Sequence, residues 1–293
     1  MLLRNLINRG VDTISSLYPE REAREMVYSC LETIAGTRRH THIVEPDFEV
    51  TDDVAVEALR AFERMAAGEP LQYVMGYADF YGRQFRVTPD VLIPRPETEL
   101  LCREVVTSSR SCQMPAPLKV LDLCTGSGCI AWTLALEMPG AEVTAVDISD
   151  GALSVASTQD FAEEVGRTGA IAPEFIKTDV LAGPAMAGFT GRYDILVSNP
   201  PYVMDKEKEF MRSNVLDYEP HLALFVSDND PLIFYQAIAG WATILLKPGG
   251  YGMDEINEAL GAETAALFDV AGFRDVEIVK DLSDRERFVS FRR

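Results

Sequence analysis

The sequence predicts an α/β protein, a doubly wound sheet preceded by a small helical bundle and a β-hairpin linker. Three observations carry that prediction. From Leu118 onward, short apolar runs bounded by glycine or polar turns alternate with longer segments of helical spacing. Before residue 80, apolar residues recur mainly at three- and four-residue intervals, the mark of amphipathic helices. Between Phe80 and Ile93 the period changes to two.

Pro19-Glu20 opens a helix whose inner face is Ala23, Met26, Val27, Cys30, Leu31 and Ile34, ended by Gly36. Asp53 is placed as the cap of a second helix, carrying Val56, Leu59, Phe62 and Ala66 and ended by Gly68 and Pro70. Phe85, Val87, Val91 and Ile93 form a hairpin with Pro89-Asp90 as its turn. Pro96 stands near the start of a helix through Leu100 and Val105, and the polar stretch from Thr107 to Pro117 reads as a loop. Strands are expected at Lys119–Leu123, Glu142–Val146, Glu174–Lys177, Tyr193–Ser198, Gly250–Met253 and Val276–Val279. Helices are expected at Cys129–Glu137, Pro231–Leu246 and Asn257–Ala271, and Phe288–Phe291 supplies a final short strand. The expected domains are therefore a helical docking domain at 1–78, a linker at 79–96 and the α/β core at 97–293.

Composition narrows the function. Of 293 residues, 47% are hydrophobic and 25% charged, which is ample for a core. The net charge is −19; residues 1–80 hold 8 basic and 14 acidic residues, a net of −6, leaving −13 for the rest. Neither part suits a phosphate backbone, so nucleic acid is disfavoured as the main partner. Five cysteines (Cys30, Cys102, Cys112, Cys124, Cys129) show no CxxC pairing, which argues against zinc and against a disulfide framework. His40 and His42 read as surface-loop histidines, and no metal is expected. Charge breaks the first five residues too early for a signal segment, and no apolar run approaches a membrane span. A cytoplasmic protein is expected.

Two stretches carry the chemistry. Lys119–Leu123 leads into Cys124-Thr125-Gly126-Ser127-Gly128 and a helix, and the next strand ends in Asp147. Strand, glycine turn, helix and then an acid is a recipe for holding a nucleoside, because glycines admit the ligand and the acid accepts from ribose hydroxyls. Gly126-x-Gly128-x-x-Ala131 also fits a dinucleotide fold, so NAD stays open on this pattern alone. Asp122 before the turn favours S-adenosylmethionine instead, since it could receive an amino-acid ammonium that NAD lacks. The second stretch is Asn199-Pro200-Pro201-Tyr202 at the end of a buried strand. The prolines stiffen the exit and donate no N–H. Free carbonyls, the Asn199 side chain and the Tyr202 ring together suit a planar NH2 group.

These residues bring out a resemblance. Asp122-x-x-Thr125-Gly126-Ser127-Gly128, Asp147 and Asn199–Tyr202, in this order, resemble class I methyltransferases acting on planar amino groups. Gln72–Gly76, Ile93–Glu99, Tyr218-Glu219-Pro220 with Leu222–Phe225, and Lys280-Asp281-Leu282 resemble the HemK/PrmC family. The resemblance implies a Rossmann-like class I fold and methylation of the glutamine N5 in the Gly-Gly-Gln loop of peptide chain release factors. It implies S-adenosylmethionine as methyl donor, leaving as S-adenosylhomocysteine, and a bundle that helps grip the release factor. By resemblance, Asp122, Cys124, Thr125, Gly126, Ser127, Gly128, Asp147, Ile148, Asp179, Val180 and Asn199 hold the cofactor, and Asn199, Pro200, Pro201 and Tyr202 form the catalytic turn. A monomer is expected. Cys124 stands where the family usually has glycine, and because cysteine tolerates positive φ poorly, a differently shaped turn is expected. Val180 replaces an aromatic neighbour of adenine found in some members.

The chemistry can be argued from the residues as well. A carboxamide nitrogen is a poor nucleophile, so acceptors at Asn199 Oδ1 and the Pro200 carbonyl would hold its N–H bonds while Tyr202 packs on its plane. No strong base is required, and His221 reads as structural. Three alternatives remain at this point: a ribosomal-protein glutamine methyltransferase, an adenine-N6 nucleic-acid methyltransferase disfavoured by charge, and an NAD oxidoreductase or non-catalytic module.

Overall fold

The computed structural model describes residues 1–111 and 116–293. The chain divides into two compact units, Met1–Tyr77 with Arg212–Tyr218, and Ala78–Met211 with Glu219–Arg293.

The first unit is helical. Helix α1 (Leu3–Ile14), which the sequence reading did not single out, buries Leu3, Leu6, Ile7, Gly10, Val11 and Ile14 on one stripe. Helix α2 (Glu20–Ala35) has Glu20 and Glu22 in its first turn and ends at Gly36, whose φ of 60° closes the C-terminus. His40 is an exposed turn residue, as expected, but His42 lies in the one-turn helix α3 (Thr41–Val44) and stacks on Tyr28 at 5.7 Å. Helix α4 (Asp52–Ala66) is capped by Thr51, whose hydroxyl accepts from the Val54 N–H, so Asp53 lies inside the first turn. Its buried stripe is Ala55, Ala58, Ala61, Phe62 and Met65. Val56 is exposed, because the stripe that packs inward runs through Ala55 and Ala58 instead. Helix α5 (Leu71–Met75) follows. A later helix, Ser213–Tyr218, completes this unit: the Tyr218 hydroxyl donates to the Ala67 carbonyl at 2.9 Å, and Arg212 pairs with Glu22 at 3.4 Å.

The hairpin is β1 (Tyr77–Phe80) and β2 (Arg83–Arg86). Its turn is Tyr81-Gly82, at φ 52° and 73°, and not Pro89-Asp90. Two positive φ values in a two-residue loop match the strand twist, which proline cannot do. Helix α6 (Thr98–Ser111) runs four residues past Thr107, into the stretch read as a loop, because Ser109 is buried and its hydroxyl donates to the Val106 carbonyl. Cys112 and residues 113–115 of that predicted loop lie outside the described residues.

The core alternates β3 (Lys119–Leu123), α7 (Cys129–Glu137), β4 (Glu142–Asp147), α8 (Asp150–Ser157), α9 (Ala162–Thr168), β5 (Glu174–Lys177) and β6 (Tyr193–Ser198). Next come β7 (Val203–Met204), α10 (the Ser213–Tyr218 helix), α11 (His221–Leu224), β8 (Phe225–Val226) and α12 (Ile233–Leu245). The chain ends with β9 (Leu246–Glu255), α13 (Gly261–Val270), β10 (Arg274–Lys280) and β11 (Glu286–Arg292). The main sheet has the order β10-β11-β9-β6-β3-β4-β5. Its pairs are parallel from β9 to β5, and β11 lies antiparallel between β9 and β10. One face is covered by a cluster including Val105, Ile130 and Leu134, the other by one including Tyr235, Trp241 and Phe268. Strand order reverses between β3 and β6, and such a switch point leaves a crevice at the strands' carboxyl ends. Strand β9 extends past the expected Met253 to Glu255.

Two glycines test the packing with opposite signs. A Cβ on Gly10 would stand 2.6 Å from the Phe62 ring, whereas one on Gly240 in α12 meets nothing within 4 Å. Overpacking costs about 1–3 kcal/mol, which exceeds the ~1 kcal/mol helix gain of alanine. Gly10→Ala is therefore expected to lower the denaturant midpoint of the first unit, and Gly240→Ala to raise that of the second.

Candidate functional site

The turn after β3 is held from three sides. The Thr125 N–H donates to the Val146 carbonyl at 3.0 Å, the Gly126 N–H to Asp147 Oδ2 at 2.9 Å, and the Thr125 hydroxyl to Asp122 Oδ2 at 2.6 Å. Cys124, Gly126 and Gly128 have φ of 61°, 56° and 79°. The cysteine thus adopts the left-handed conformation itself, at a cost of about 1–2 kcal/mol for a residue with a Cβ, and the turn keeps its loop-to-helix shape. Gly128 caps α7, where a Cβ would lie 3.0 Å from that of Ala156. A Cβ on Gly126 would meet nothing, so that glycine faces open space. Buried Gln159, missed in the sequence, donates from Nε2 to the Ser127 and Arg86 carbonyls, both at 3.0 Å. A lone glutamine in a polar loop carries no signal of such a role.

Asp147, at the end of β4, accepts from the Ser149 N–H at Oδ1 and from the Gly126 N–H at Oδ2, both at 2.9 Å. Burial raises its pKa, and the backbone donors of Ser149, Gly126 and Ile148 pull it back down. Asp179 accepts from the Leu181 N–H at 2.9 Å, which fixes the short turn carrying Val180.

Asn199 follows β6, whose last residue, Ser198, donates its hydroxyl to the Leu123 carbonyl at 2.8 Å and ties the ends of β6 and β3 together. Asn199 Nδ2 donates to Thr98 Oγ1 at 3.2 Å. The Thr98 hydroxyl donates to Glu255 Oε2 at 2.7 Å, and the Tyr202 hydroxyl donates to Glu255 Oε1 at 2.9 Å. Asn257 Nδ2 donates to the Tyr202 carbonyl at 3.1 Å. Neither Thr98 nor Glu255 was a site residue in the sequence reading. Thr98 sits inside the quoted Ile93–Glu99 motif, but the strand carrying Glu255 was ended two residues too early.

One cleft, about 200 Å3 in volume, collects most of these groups. Cys124, Thr125, Gly126, Ser127, Asp147, Ile148, Asp179, Val180, Asn199 and Pro201 line it. Arg95, Pro220 and Leu222 form part of the remaining wall, with Arg95 held by Glu219 at 2.6 Å. Gly128 does not line the cleft; it packs beneath the turn. Three more expected site residues are not on its wall. Asp122 is fully buried behind the turn, Pro200 is buried, and Tyr202 packs against the cluster under α12 with its hydroxyl on Glu255. In this structure Asp122 serves the turn and Tyr202 braces it from below; neither faces the cleft. Among the described residues, no group of three or more His, Cys, Asp or Glu could hold a metal ion, and no helix is long and apolar enough to cross a membrane.

Residues 98–217 match the Methyltransferase small domain family and residues 5–76 the PrmC N-terminal domain family. A release factor glutamine methyltransferase of Flavobacterium psychrophilum is 36% identical, covering 99% of this chain and 98% of that protein. One from Bacteroides thetaiotaomicron is 38% identical over 96% of both chains. Among solved structures, the hMettl16 catalytic domain in complex with MAT2A 3′UTR hairpin 6 has a TM-score of 0.51 at 14% identity, covering 83% of this chain and 82% of that one. That likeness shows the fold alone.

Asp122 gives a testable pH signature. Burial raises its pKa from 3.8 to about 7, with Asp147 nearby adding to the rise and Thr125 opposing it. The folded chain therefore holds a proton that the unfolded chain has released, and this group makes stability fall as pH rises toward 7. Asp122→Asn removes that slope. Between pH 5.5 and 8.5 the variant is expected to gain about 2 kcal/mol on the wild type, at ~1.4 kcal/mol per pKa unit. Denaturant unfolding at both pH values checks this, and an unchanged gap would mean that Asp122 titrates in the ordinary range.

Proposed function

This chain belongs to the release factor glutamine methyltransferases, and from that premise we propose how its cleft works. It transfers a methyl group from S-adenosylmethionine to the side-chain amide nitrogen of the glutamine in the Gly-Gly-Gln motif of peptide chain release factors, a cytoplasmic reaction of translation termination. The observation that carries this reading is that Asn199, with its amide tethered through Thr98, lines the same cleft as Gly126 and Asp147.

The residues present fit the methyl donor. The open space over Gly126 is a cradle that any side chain there would fill. Asp147 accepts backbone N–H groups on both oxygens and keeps lone pairs for ribose hydroxyls. Asp179 and Val180 line the wall suited to adenine, with valine giving apolar contact in place of ring stacking. When bound, S-adenosylmethionine supplies an electrophilic methyl group on a positively charged sulfur.

The chain's own groups prepare the acceptor. Asn199 Oδ1, on the cleft wall, accepts an N–H of the glutamine amide and turns its nitrogen toward the cleft. Positioning of this kind lowers a barrier by about 7–11 kcal/mol in well-oriented systems. The nitrogen becomes acidic as it is alkylated, so its proton passes to solvent and no dedicated base is needed. Tyr202 holds the turn from beneath through Glu255. The helical unit at 1–77, with Arg212–Tyr218, is read as the part that engages the body of the release factor, since it carries none of the cleft residues. The relatives' names favour a release factor over a ribosomal protein as substrate.

Two substitutions separate binding from transfer. Asp147→Ala is expected to weaken S-adenosylmethionine binding by about 1.5–3 kcal/mol, the range for hydrogen bonds to a charged group, as read by calorimetry. Asn199→Ala is expected to bind the donor as the wild type does and to transfer methyl about a hundredfold or more slowly, as when other transition-state hydrogen bonds are removed. Mass spectrometry of a release factor, a ribosomal protein and an oligonucleotide offered in parallel reads the product. Wild-type turnover by Asn199→Ala would remove this turn from the mechanism.

A further inference from the structure

We propose that Glu255 is a positioning residue that decides which end of the Asn199 amide faces the cleft. The inference rests on the functional reading above for its consequence, but its geometry stands independently. Glu255 is the last residue of β9 and only 1% exposed, and each of its oxygens takes one hydroxyl proton, from Thr98 and from Tyr202. A carboxylate accepts and never donates, so the single Thr98 proton is committed to Glu255. Thr98 Oγ1 is then left with lone pairs only, and its other neighbour must be a donor. Asn199 meets that demand with Nδ2 at 3.2 Å. Its Oδ1 is thereby the end left for the cleft that Asn199 lines.

The polarity matters because asparagine is nearly symmetric in shape and opposite in chemistry at its two ends. With Oδ1 toward the cleft the residue accepts a substrate N–H; inverted, it would present NH2 to NH2 and repel the group it must hold. Nothing on Asn199 alone selects one end. The selection passes along a chain of three side chains and begins at a group that cannot donate, and buried chains of this kind are rigid when every member is satisfied. Glu255 is itself fixed on the strand: the Tyr235 hydroxyl donates to its carbonyl at 3.3 Å, and the Asn257 N–H donates to the same hydroxyl at 3.2 Å. Burial raises the Glu255 pKa, while the hydroxyls of Thr98 and Tyr202 and the charge of Arg287 hold it down against Glu97.

Three variants read the relay. Glu255→Gln offers Thr98 a donor and frees its proton to point at Asn199. Thr98→Val keeps the shape and cuts the relay, and Thr98→Ser keeps the hydroxyl. The Asn199 side-chain NH2 is observed by NMR, assigned by its disappearance in Asn199→Ala, and kcat and KM are measured with a release factor. In the wild type and in Thr98→Ser, one Asn199 NH2 proton is expected to exchange with solvent at least tenfold more slowly than a free amide. Glu255→Gln and Thr98→Val are expected to lose that protection, with kcat falling about 10- to 100-fold while KM and donor affinity move less than about threefold. Thr98→Ser stays within about threefold of wild-type kcat. Retained protection and kcat in Glu255→Gln, or a Thr98→Ser as impaired as Thr98→Val, overturns the inference. If Glu255→Gln does not fold, the Thr98 pair decides. A wild type that methylates no release factor refutes the functional reading instead, and the exchange measurement still decides the orientation of Asn199.

Discussion

Parallel pairing of β3 with both β4 and β6 is the constraint on which the rest of the molecule depends. Parallel strands send their connections out at the same end. The glycine turn after β3, Asp147 at the end of β4 and Asn199 after β6 therefore leave one edge of one sheet, on either side of the point where strand order reverses. The register keeps them level. Leu123 stands opposite both Val146 and Ser198, so the three functional residues follow paired positions. Hydrogen bonds across that edge, from Thr125 to Val146 and from Ser198 to Leu123, then fix the loops that the pairing has brought together.

Conformational strain and buried acids are concentrated in the same place. Cys124 holds a backbone conformation that costs a residue with a Cβ, and Asp122 and Glu255 are carboxyl groups removed from water near the turns. Asp122 Oδ1 has no hydrogen-bond partner, nor does either oxygen of Asp254 on β9. Such groups weaken a fold, and a core this size tolerates them because apolar layers cover both faces of the sheet. Sites of catalysis commonly carry such costs.

Much of the core was legible in the sequence because its strands are short apolar runs with clear turn residues. Lys119–Leu123, Tyr193–Ser198 and the helix Cys129–Glu137 fall within the limits read from the pattern. The errors have specific causes. In α4 Thr51, two residues before Asp53, took the cap, and the inner face is made largely of alanines that pattern reading discounts. In the hairpin, Tyr81 adopted a left-handed φ that nothing in its side chain announces, so the prolines downstream drew the turn. Of the cleft, the motif residues could be named, but not which way they point. Asp122 and Tyr202 carry the right chemistry and face the core, a distinction made by hydrogen bonds to Thr125 and Glu255 that no local pattern encodes. Glu255 was missed because the expected strand stopped at Met253, before the acidic pair Asp254-Glu255.

The membership of Arg212–Tyr218 in the first unit bears on how the protein is made. The ribosome releases the chain from its N-terminus, so helices α1 to α5 emerge together and can begin to pack at once. The segment that contributes Arg212 to Glu22 and Tyr218 to Ala67 emerges only after most of the sheet's strands. At synthesis rates of ~5–20 residues per second, that delay is on the order of ten seconds. During it the bundle waits without its last helix, and Leu17 and Gly68, beside the place Tyr218 will take, stay uncovered. The first unit to be born is thus not the first to be finished. Its completion reports that the chain has been read beyond the turn on which its chemistry depends.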